Sequence, residues 1–409
     1  MIARGRVLGV GSGTIEISLP AATIGDGVRI ERTGGSDTFG VITGLSGARA
    51  DVTPMGRLGG VHVGGRACVN SAALFVPLGL RLLGRAIDAC GEPLDGEPNA
   101  GGLLQRCDAA MEMKERRAIC EPFWTGVRVL DALLVSGRGA RMGIFGAPGC
   151  GKSSLLQSIA TNSGADVVVV GLVGERGREA EAWIQALTAR TTVVCATSDR
   201  APLERIRAAK VAMAQAVALR DRGLHVLLVL DSLARFGAAL REVSAAAGET
   251  VGRGGYSPSV FAELAKYVEV AGNARVGSIT MFASVLSDGD ERDPLSDAAR
   301  SLLDGHIELS ATMARAGKFP AIDILASSSR TMNDVVNERH ASHANFIRST
   351  LDSLAKTEDA RSLGMGTADG LDRQNAAEAA LEEFLRGPVS DARPALLAEG
   401  LASLAERLS

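Results

Sequence analysis

The sequence predicts an α/β fold: a core with a mostly parallel sheet, preceded by a small β-barrel and followed by a helical domain. Aromatic residues make up only 3% of the chain, so the core must consist of Ala, Val, Leu and Ile, which suits parallel strands covered by helices. Continuous apolar runs at residues 166–173 and 225–230 alternate with segments of helical spacing. At 409 residues the chain exceeds one ordinary domain, and we expect domains at residues 1–76, 77–345 and 346–409.

The barrel prediction rests on the first 75 residues, which alternate apolar and polar side chains in short bursts. Residues 14–18 and 27–30 are two such bursts, and Gly, Asp and Ser separate them. Several short strands with closely spaced turn signals are typical of a small closed barrel. No cluster of reactive side chains occurs there, so we expect the barrel to serve packing and oligomerisation rather than ligand binding.

The most specific motif lies at residues 146–153, which read GAPGCGKS and match G-x-x-x-x-G-K-[ST] between an apolar run and a helical pattern. Glycines allow backbone amides to surround phosphate oxygens, and the positive end of the following helix points at them. Lys152 can reach the terminal phosphates, and the hydroxyl of Ser153 can bind Mg²⁺. A chance match in a glycine-rich turn is the weaker interpretation. We therefore expect nucleotide binding by Gly146, Ala147, Pro148, Gly149, Cys150, Gly151, Lys152, Ser153 and Ser154.

Two acids close predicted strands, at the edge where ligand sites of open α/β sheets lie. Glu175 follows the run 166–173 and can activate a water, while Arg176 can pair with it or sense the terminal phosphate. From spacing alone, a solvated helix cap explains Glu175 equally well. Asp231 ends the run that begins at His225, where a buried carboxylate is costly without a cation. We predict that Asp231 and Ser153 hold Mg²⁺.

Later segments complete the predicted fold. Residues 278–285, 306–310 and 322–326 are expected to be the last core strands, and the chain from Val335 onward has helical apolar spacing. The glycine-rich loop 248–256 is expected to be mobile or packed against a neighbour. The acidic segment 287–294 is expected to face solvent.

Composition argues against several classes of function. The formal net charge is −3 without clusters of Lys and Arg, so nothing supports nucleic-acid binding. The six cysteines are scattered without a C-x-x-C pair, which disfavours metal sites and disulfides and indicates a reducing compartment. No stretch offers the roughly 18 apolar residues of a membrane span. We expect a cytoplasmic protein that is peripheral to a membrane at most.

Eight longer motifs carry a resemblance to a known family. In order they read LGRAIDACGEPLDG, EPFWTGVRVLDALL, GAPGCGKS, GLVGERGREAEAW, LDSLARFGAALREV, GETVGRGGYSPSVFAEL, SLLDGHIELS and FPAIDILASSSRTM. The chain resembles the ATPases of bacterial type III secretion systems, a family shared with the flagellar export ATPase and akin to the catalytic subunit of rotary F- and V-type ATPases. The resemblance covers nearly the whole chain, from about residue 6 to about residue 386.

This resemblance implies a P-loop core that resembles RecA and the rotary ATPases, the cofactors ATP and Mg²⁺, and a homohexameric ring with nucleotide at each subunit interface. It implies that Glu175 activates the attacking water, which favours the catalytic interpretation over the helix cap. Arg330 matches the arginine that reaches into the neighbour's site as an arginine finger, with structural pairing to Asp323 or Asp334 as the alternative. Phe319 matches the aromatic residue that lies against adenine, and a ring face suffices for stacking.

The same resemblance implies a function in protein export. The chain is expected to release chaperones from secreted proteins or to unfold them, with secretion chaperones, exported proteins and the stalk and stator proteins as partners. The chain begins almost at its first strand, so stator contact through a preceding segment is not expected. Alternatives are a flagellar export ATPase, a non-catalytic nucleotide-binding ring subunit, which Glu175 argues against, and an RNA translocase, which needs basic pore loops.

Overall fold

The computed structural model describes residues 4–11, 13–70, 74–101, 104–107, 111–287, 293–362, 379–380, 383–384 and 394–408. Of the predicted acidic segment 287–294, residues 288–292 lie outside the described residues, as does much of the chain after residue 362. The elements confirm the predicted fold class: a closed barrel, a mostly parallel sheet covered by helices, and C-terminal helices. The domain boundaries stay predictions, and one long helix, Glu338–Ser362, runs across the boundary expected at residues 345 and 346.

The barrel closes with the strand order β1-β2-β5-β4-β3-β6, and every neighbouring pair is antiparallel. Alternation puts one face of each strand inside, as Ile15 and Ile17 of β2 show, and both are fully buried. Pairing of the first strand with the last removes the open edges that isolated sheets expose. The barrel strands are β1 (Arg4–Val10), β2 (Ile15–Ser18), β3 (Gly27–Ile30), β4 (Thr38–Ser46), β5 (Arg49–Met55) and β6 (Arg66–Val69).

The core sheet has the order β19-β18-β12-β17-β15-β13-β14-β8, and β16 pairs with β17. The ladders from β18 to β8 are parallel, whereas β19 and β16 are antiparallel to their neighbours. The remaining strands are β7 (Phe75–Pro77), β8 (Arg85–Asp88), β9 (Leu104–Arg106), β10 (Pro122–Phe123), β11 (Ser136–Gly137), β12 (Arg141–Gly146), β13 (Val167–Val173), β14 (Thr191–Ala196), β15 (His225–Asp231), β16 (Gly272–Asn273), β17 (Ser278–Leu286), β18 (Gly305–Leu309) and β19 (Ile322–Ser329).

Helices cover both faces of the sheet, which explains why every residue of β13, β14 and β15 is buried. The helix Pro202–Arg220 packs closely because Ala212 approaches Gly171 of β13, where an added β-carbon would lie 3.0 Å from the alanine methyl. The helices are α1 (Arg128–Leu133), α2 (Lys152–Asn162), α3 (Gly177–Gln185), α4 (Pro202–Arg220), α5 (Leu233–Ala246), α6 (Pro258–Glu269), α7 (Pro294–Leu302), α8 (Ala311–Arg315), α9 (Met332–Val335), α10 (Glu338–Ser362) and α11 (Pro394–Leu408).

The C-terminal helices pack against the same face as α1 and α2. Leu397, Leu401 and Leu404 of α11 are buried in one apolar cluster with Ala344 and Ile347 of α10. In the described ranges, none of the helices combines the length and the apolar composition that a membrane crossing requires.

Candidate active site

The glycine-rich motif forms a loop between the end of β12 and the start of α2. Gly149 and Gly151 have φ angles of +83° and +92°, a region that glycine enters without the steric cost of a β-carbon. Gly151 precedes the first turn of α2 and has no side chain to cap it, so the backbone N–H groups of that turn point at the loop. The ammonium of Lys152 donates to the carbonyls of Gly146 at 2.6 Å and Ala147 at 2.8 Å. The loop can therefore surround a phosphate chain.

Asp231 ends β15 beside this loop, and its side chain is 4% exposed. Burial raises the pKa of Asp231, while hydrogen bonds from the hydroxyls of Ser284 and Ser153 lower it. A buried carboxylate next to the hydroxyl of the phosphate loop is the donor set that Mg²⁺ uses together with phosphate oxygens and water. The two predicted metal ligands, Ser153 and Asp231, are thus neighbours, and they fit the ion.

No group of three or more His, Cys, Asp or Glu side chains suited to a metal occurs among the residues that the structure describes. A Mg²⁺ ion bound mainly by phosphate oxygens and water needs no such group, because one protein carboxylate and one hydroxyl complete its coordination.

Glu175 follows β13 and is 5% exposed, which differs from a solvated helix cap. Its Oε1 lies 3.1 Å from Nε of Arg235. Burial, a hydrogen bond with Glu179 and the charge of Asp231 raise the pKa of Glu175 to about 8, and Arg235 opposes them. The carboxyl is therefore held in the pH range where a general base works best.

Arg176, which the sequence suggested as a partner of Glu175, lies elsewhere. Its side chain is 79% exposed, and its guanidinium lies 4.0 Å from Glu179. Sensing of the terminal phosphate by Arg176 stays a prediction.

Arg235 and Ser284 are site residues that sequence reasoning missed. Arg235 lies in the first turn of α5, four residues after Asp231, and its guanidinium also donates to the carbonyl of Gly174. The spacing of Arg235 from Asp231 could have indicated this position, since a residue in the first turn of a helix that follows a strand remains near the end of that strand. Ser284 lies on β17, whose residue Ala283 pairs with Leu230, so a register that the sequence does not reveal puts it beside Asp231.

Phe319 lies at the mouth of the phosphate loop. Its side chain is 55% exposed, and a β-carbon built at Gly151 would lie 3.4 Å from the ring. The ring thus offers a face to solvent next to the first turn of α2, a position suited to stacking on a base.

Arg330 and its own phosphate loop lie at opposite ends of the strands of the sheet. It directly follows β19, whose last residue Ser329 pairs with Gly305, and Gly305 pairs with Met142 at the start of β12. The phosphate loop follows the other end of β12, about 16 Å away at about 3.3 Å per residue. Arg330 is exposed and, within the described residues, forms no ion pair with Asp323 or Asp334. The structure brings the phosphate loop, Glu175, Asp231 and Phe319 to one end of the sheet, whereas the side chain of Arg176 faces solvent and Arg330 lies at the other end.

Comparisons with known proteins agree with this geometry. Residues 126–329 match the nucleotide-binding domain of the ATP synthase alpha/beta family. The chain is 41% identical to the flagellum-specific ATP synthase of Treponema pallidum over 394 residues, covering 93% of this chain and 88% of the relative. It is 42% identical to a type 3 secretion system ATPase of Sinorhizobium fredii over 398 residues, covering 94% of this chain and 88% of the relative.

Solved structures agree as well. The assembled ATPase EscN from the type III secretion system of enteropathogenic E. coli matches with a TM-score of 0.89 and 33% identity, covering 98% of this chain and all of the EscN chain. EscN in complex with its central stalk EscO matches with a TM-score of 0.88, at the same identity and coverage. The phosphate loop, the buried acids and these relatives together show that the chain is a nucleotide-binding ATPase and belongs to the family of type 3 secretion system ATPases and flagellum-specific ATP synthases.

Proposed function

We propose that this chain hydrolyses Mg·ATP at sites between neighbouring copies of itself, in a homohexameric ring, to energise protein export through a type III secretion system. We place the ring at the cytoplasmic face of the apparatus, with secretion chaperones, exported proteins, and stalk and stator proteins as partners. The observation that carries the proposal is the buried Glu175 carboxyl beside Arg235, at the edge of the sheet that holds the phosphate loop. The assembled form of EscN and its complex with the stalk EscO support the ring and the stalk.

In this proposal Glu175 orients the attacking water and accepts its proton. Lys152 exchanges its bonds to the carbonyls of Gly146 and Ala147 for phosphate oxygens, which places positive charge where negative charge develops. Bound Mg²⁺ neutralises further phosphate charge, and Ser153 and Asp231 are the residues that would hold it.

Arg330 completes the neighbouring site. Since it lies at the far end of β12 from its own phosphate loop, its exposed guanidinium is better placed for the nucleotide of an adjacent copy. An arginine finger stabilises the charge on the transferred phosphoryl group and contributes roughly 10³- to 10⁵-fold to the rate.

Substitution of Glu175 and Lys152 tests the active site. Glu175→Gln keeps the shape of the side chain but loses its charge, so we expect ATP binding to persist while turnover falls by roughly 10²-fold or more. Lys152→Ala should lose ATP binding or hydrolysis, because no other group supplies its charge at the phosphates. Phosphate release measures the turnover of each variant, and titration with a fluorescent nucleotide measures its binding. Normal turnover in Glu175→Gln would contradict a catalytic role for Glu175.

Mixing of inactive chains tests the finger. Rings assembled from Arg330→Ala and Glu175→Gln chains contain some interfaces with an intact Glu175 on one side and an intact Arg330 on the other. We expect these rings to recover hydrolysis that neither variant shows alone. A purely structural Arg330 predicts no recovery, together with a lower melting temperature of Arg330→Ala.

A flagellar export ATPase is the second candidate, since flagellum-specific relatives match as well as secretion ATPases do. Replacement of the chromosomal copy by the Glu175→Gln form separates the two. Loss of secreted substrates with intact motility supports the secretion system, and loss of motility supports the flagellar role.

A further inference from the structure

The arginine finger is held by a small piece of chain, residues 300–304, which we call the finger seat. The backbone N–H of Arg330 donates to the carbonyl of Asp304 at 2.9 Å. Its guanidinium donates to the carbonyl of Arg300 at 3.4 Å. The seat includes the last residues of α7 and the turn before β18. The direction of the finger therefore depends on where residues 300–304 lie.

Arg141, the first residue of β12, fixes the seat at its Asp304 end. Its Nε lies 2.9 Å from Oδ2 of Asp304, and a guanidinium N–H donates to Oδ1 at 3.1 Å. The backbone N–H of Arg141 also donates to Oδ2 at 2.9 Å, and the N–H of Asp304 donates to the carbonyl of Arg141 at 2.7 Å. Four bonds thus join one residue of β12 to one residue of the seat. A bidentate arginine–carboxylate pair fixes both distance and orientation.

Burial strengthens this connection. The side chains of Arg141 and Asp304 are 16% and 21% exposed, so their interaction is less screened than that of a surface pair. Next to them, Gly305 lets three strands approach each other, because an added β-carbon would lie 2.6 Å from both the Met142 side chain and the carbonyl of Ser328. The three strands are therefore closely packed at Gly305, the residue that directly follows the seat.

A second contact ties the other end of the seat to the same strand. The guanidinium of Arg300 lies 4.2 Å from the ring centroid of Phe145, the residue before Gly146 of the phosphate loop. Arg300 also pairs with Glu308 of β18. The seat therefore rests on β12 at both Arg141 and Phe145.

We propose that Arg141 is a positioning residue for Arg330: it fixes the finger seat, and through it the finger that completes the neighbouring copy's site. This inference rests on the proposed function in trans of Arg330. Arg141 begins β12, at the end of the strand away from the phosphate loop, so its proposed role is positioning and not chemistry. Without the Arg141 guanidinium the finger seat is no longer fixed, and the side chain of Arg330 can point in other directions. Because displacements of about 1 Å in a catalytic group can cost about 10²-fold in rate, we expect a large effect on turnover and little on binding.

Three variants isolate this function. Arg141→Met keeps an unbranched apolar stem of similar shape and removes both guanidinium bonds to Asp304. Glu269→Gln is the control, because it removes the other ion pair of the Arg141 guanidinium, at 2.7 Å, together with the pair between Glu269 and Arg116, and it leaves the seat untouched. Arg141→Lys keeps the charge but replaces the bidentate bond by a single point contact.

The expected results are ordered. Arg141→Met should lower kcat by about 10- to 100-fold with the ATP dissociation constant changed by less than about twofold, in the range that misplacement of a catalytic group produces. Arg141→Lys should lie between Arg141→Met and the unsubstituted chain, and Glu269→Gln should match the unsubstituted chain. Thermal unfolding and nucleotide binding of each variant verify the fold. An unchanged kcat in Arg141→Met, or an equal loss in Glu269→Gln, overturns the proposal.

Mixed rings then show on which side of the interface Arg141 acts. Paired with Glu175→Gln chains, which carry an intact finger, Arg141→Met chains should recover hydrolysis. Paired with Arg330→Ala chains they should not, because no interface then has a well-placed finger. If Arg141 instead supports its own phosphate loop through β12, the pattern reverses.

A structural defect of Arg141→Met predicts recovery in neither mixture, and that outcome also overturns the proposal. The mixture of Arg330→Ala with Glu175→Gln is measured in parallel. If this mixture does not recover hydrolysis, Arg330 does not act in the neighbouring copy's site, and the proposed function fails at that step. If it recovers while the Arg141→Met mixtures do not follow the expected pattern, only the positioning role of Arg141 is wrong.

Discussion

The Glu175 carboxyl is buried, yet its proposed role requires a charge. Burial raises its pKa to about 8, with help from Glu179 and Asp231, and the nearby Arg235 guanidinium limits the rise. Below that pKa the carboxyl is protonated and cannot accept a proton from water, so the free protein should gain activity as pH rises through about 8.

Removal of Arg235 should therefore shift the pH profile. Without the guanidinium the pKa of Glu175 rises further, so the alkaline rise in kcat/KM of Arg235→Gln should occur at higher pH than in the unsubstituted chain. The midpoint of kcat/KM against pH measures this shift. Arg241→Gln is the control, because Arg241 lies on the same helix but stacks on Tyr256. An acid shift, or an equal shift in both variants, would contradict the role given to Arg235.

At the scale of single residues, the sequence located those whose position a motif defines. Lys152 and Ser153 stand at set places in the phosphate loop, and Asp231 stands at the end of an apolar strand. Arg235 and Ser284 reach the site from other elements, so their contribution depends on how the helix and the strand lie against β15. That packing is a tertiary property, and residue spacing along the chain does not contain it.

At the scale of elements, the loop between β12 and α2 and the segment that carries Phe319 lie side by side, and we expect them to form one binding surface. The first turn of α2 offers N–H groups to phosphates, and the exposed Phe319 ring lies beside Gly151 at the same end. Phosphate and base can thus be bound separately by two elements.

Substitution of Phe319 tests this division. Phe319→Ala removes the stacking face, so we expect ATP affinity to fall by about 10-fold, the equivalent of about 1.4 kcal/mol, while kcat stays near the unsubstituted value. Phe319→Tyr retains a ring and should bind normally. Titrations with ATP and with inorganic triphosphate distinguish a base contact from a phosphate contact. Equal weakening for both ligands would contradict stacking on the base.

Elements were predicted best where their burial is uniform. The strand expected at residues 278–285 is Ser278–Leu286, and all its residues but the last are buried. The strand expected at residues 322–326 instead spans Ile322–Ser329, in which buried and exposed residues are mixed. The antiparallel pairing of β19 leaves no trace in its composition, since the residue types of a strand do not depend on its direction in the sheet.

At the scale of the whole molecule, the residues proposed for one shared site lie at opposite ends of the strands of one sheet. The phosphate loop, Glu175 and Asp231 lie at the carboxyl ends of the parallel strands, and Arg330 lies beside the amino end of β12. If Arg330 functions as the proposed finger, a single copy cannot complete a site, and activity depends on assembly.

Dilution tests this dependence. Turnover per chain should fall as the concentration drops to where light scattering shows monomers, because each chain then loses the finger of its neighbour. Addition of an excess of inactive Glu175→Gln chains should restore turnover of the dilute chain, since rings form again and the added chains supply intact fingers. Arg330→Ala chains should restore turnover equally. They supply sites with an intact Glu175, and the unsubstituted chain completes these sites with its own Arg330.

The double variant Glu175→Gln with Arg330→Ala separates completion of the site from assembly itself. It should join the ring and still restore no turnover, because none of its interfaces with the unsubstituted chain contains both groups. If the double variant activates the dilute chain as well as the single variants do, assembly acts by ordering each chain's own site. If turnover per chain is unchanged down to monomers, the site is complete within one copy and Arg330 is no finger in trans.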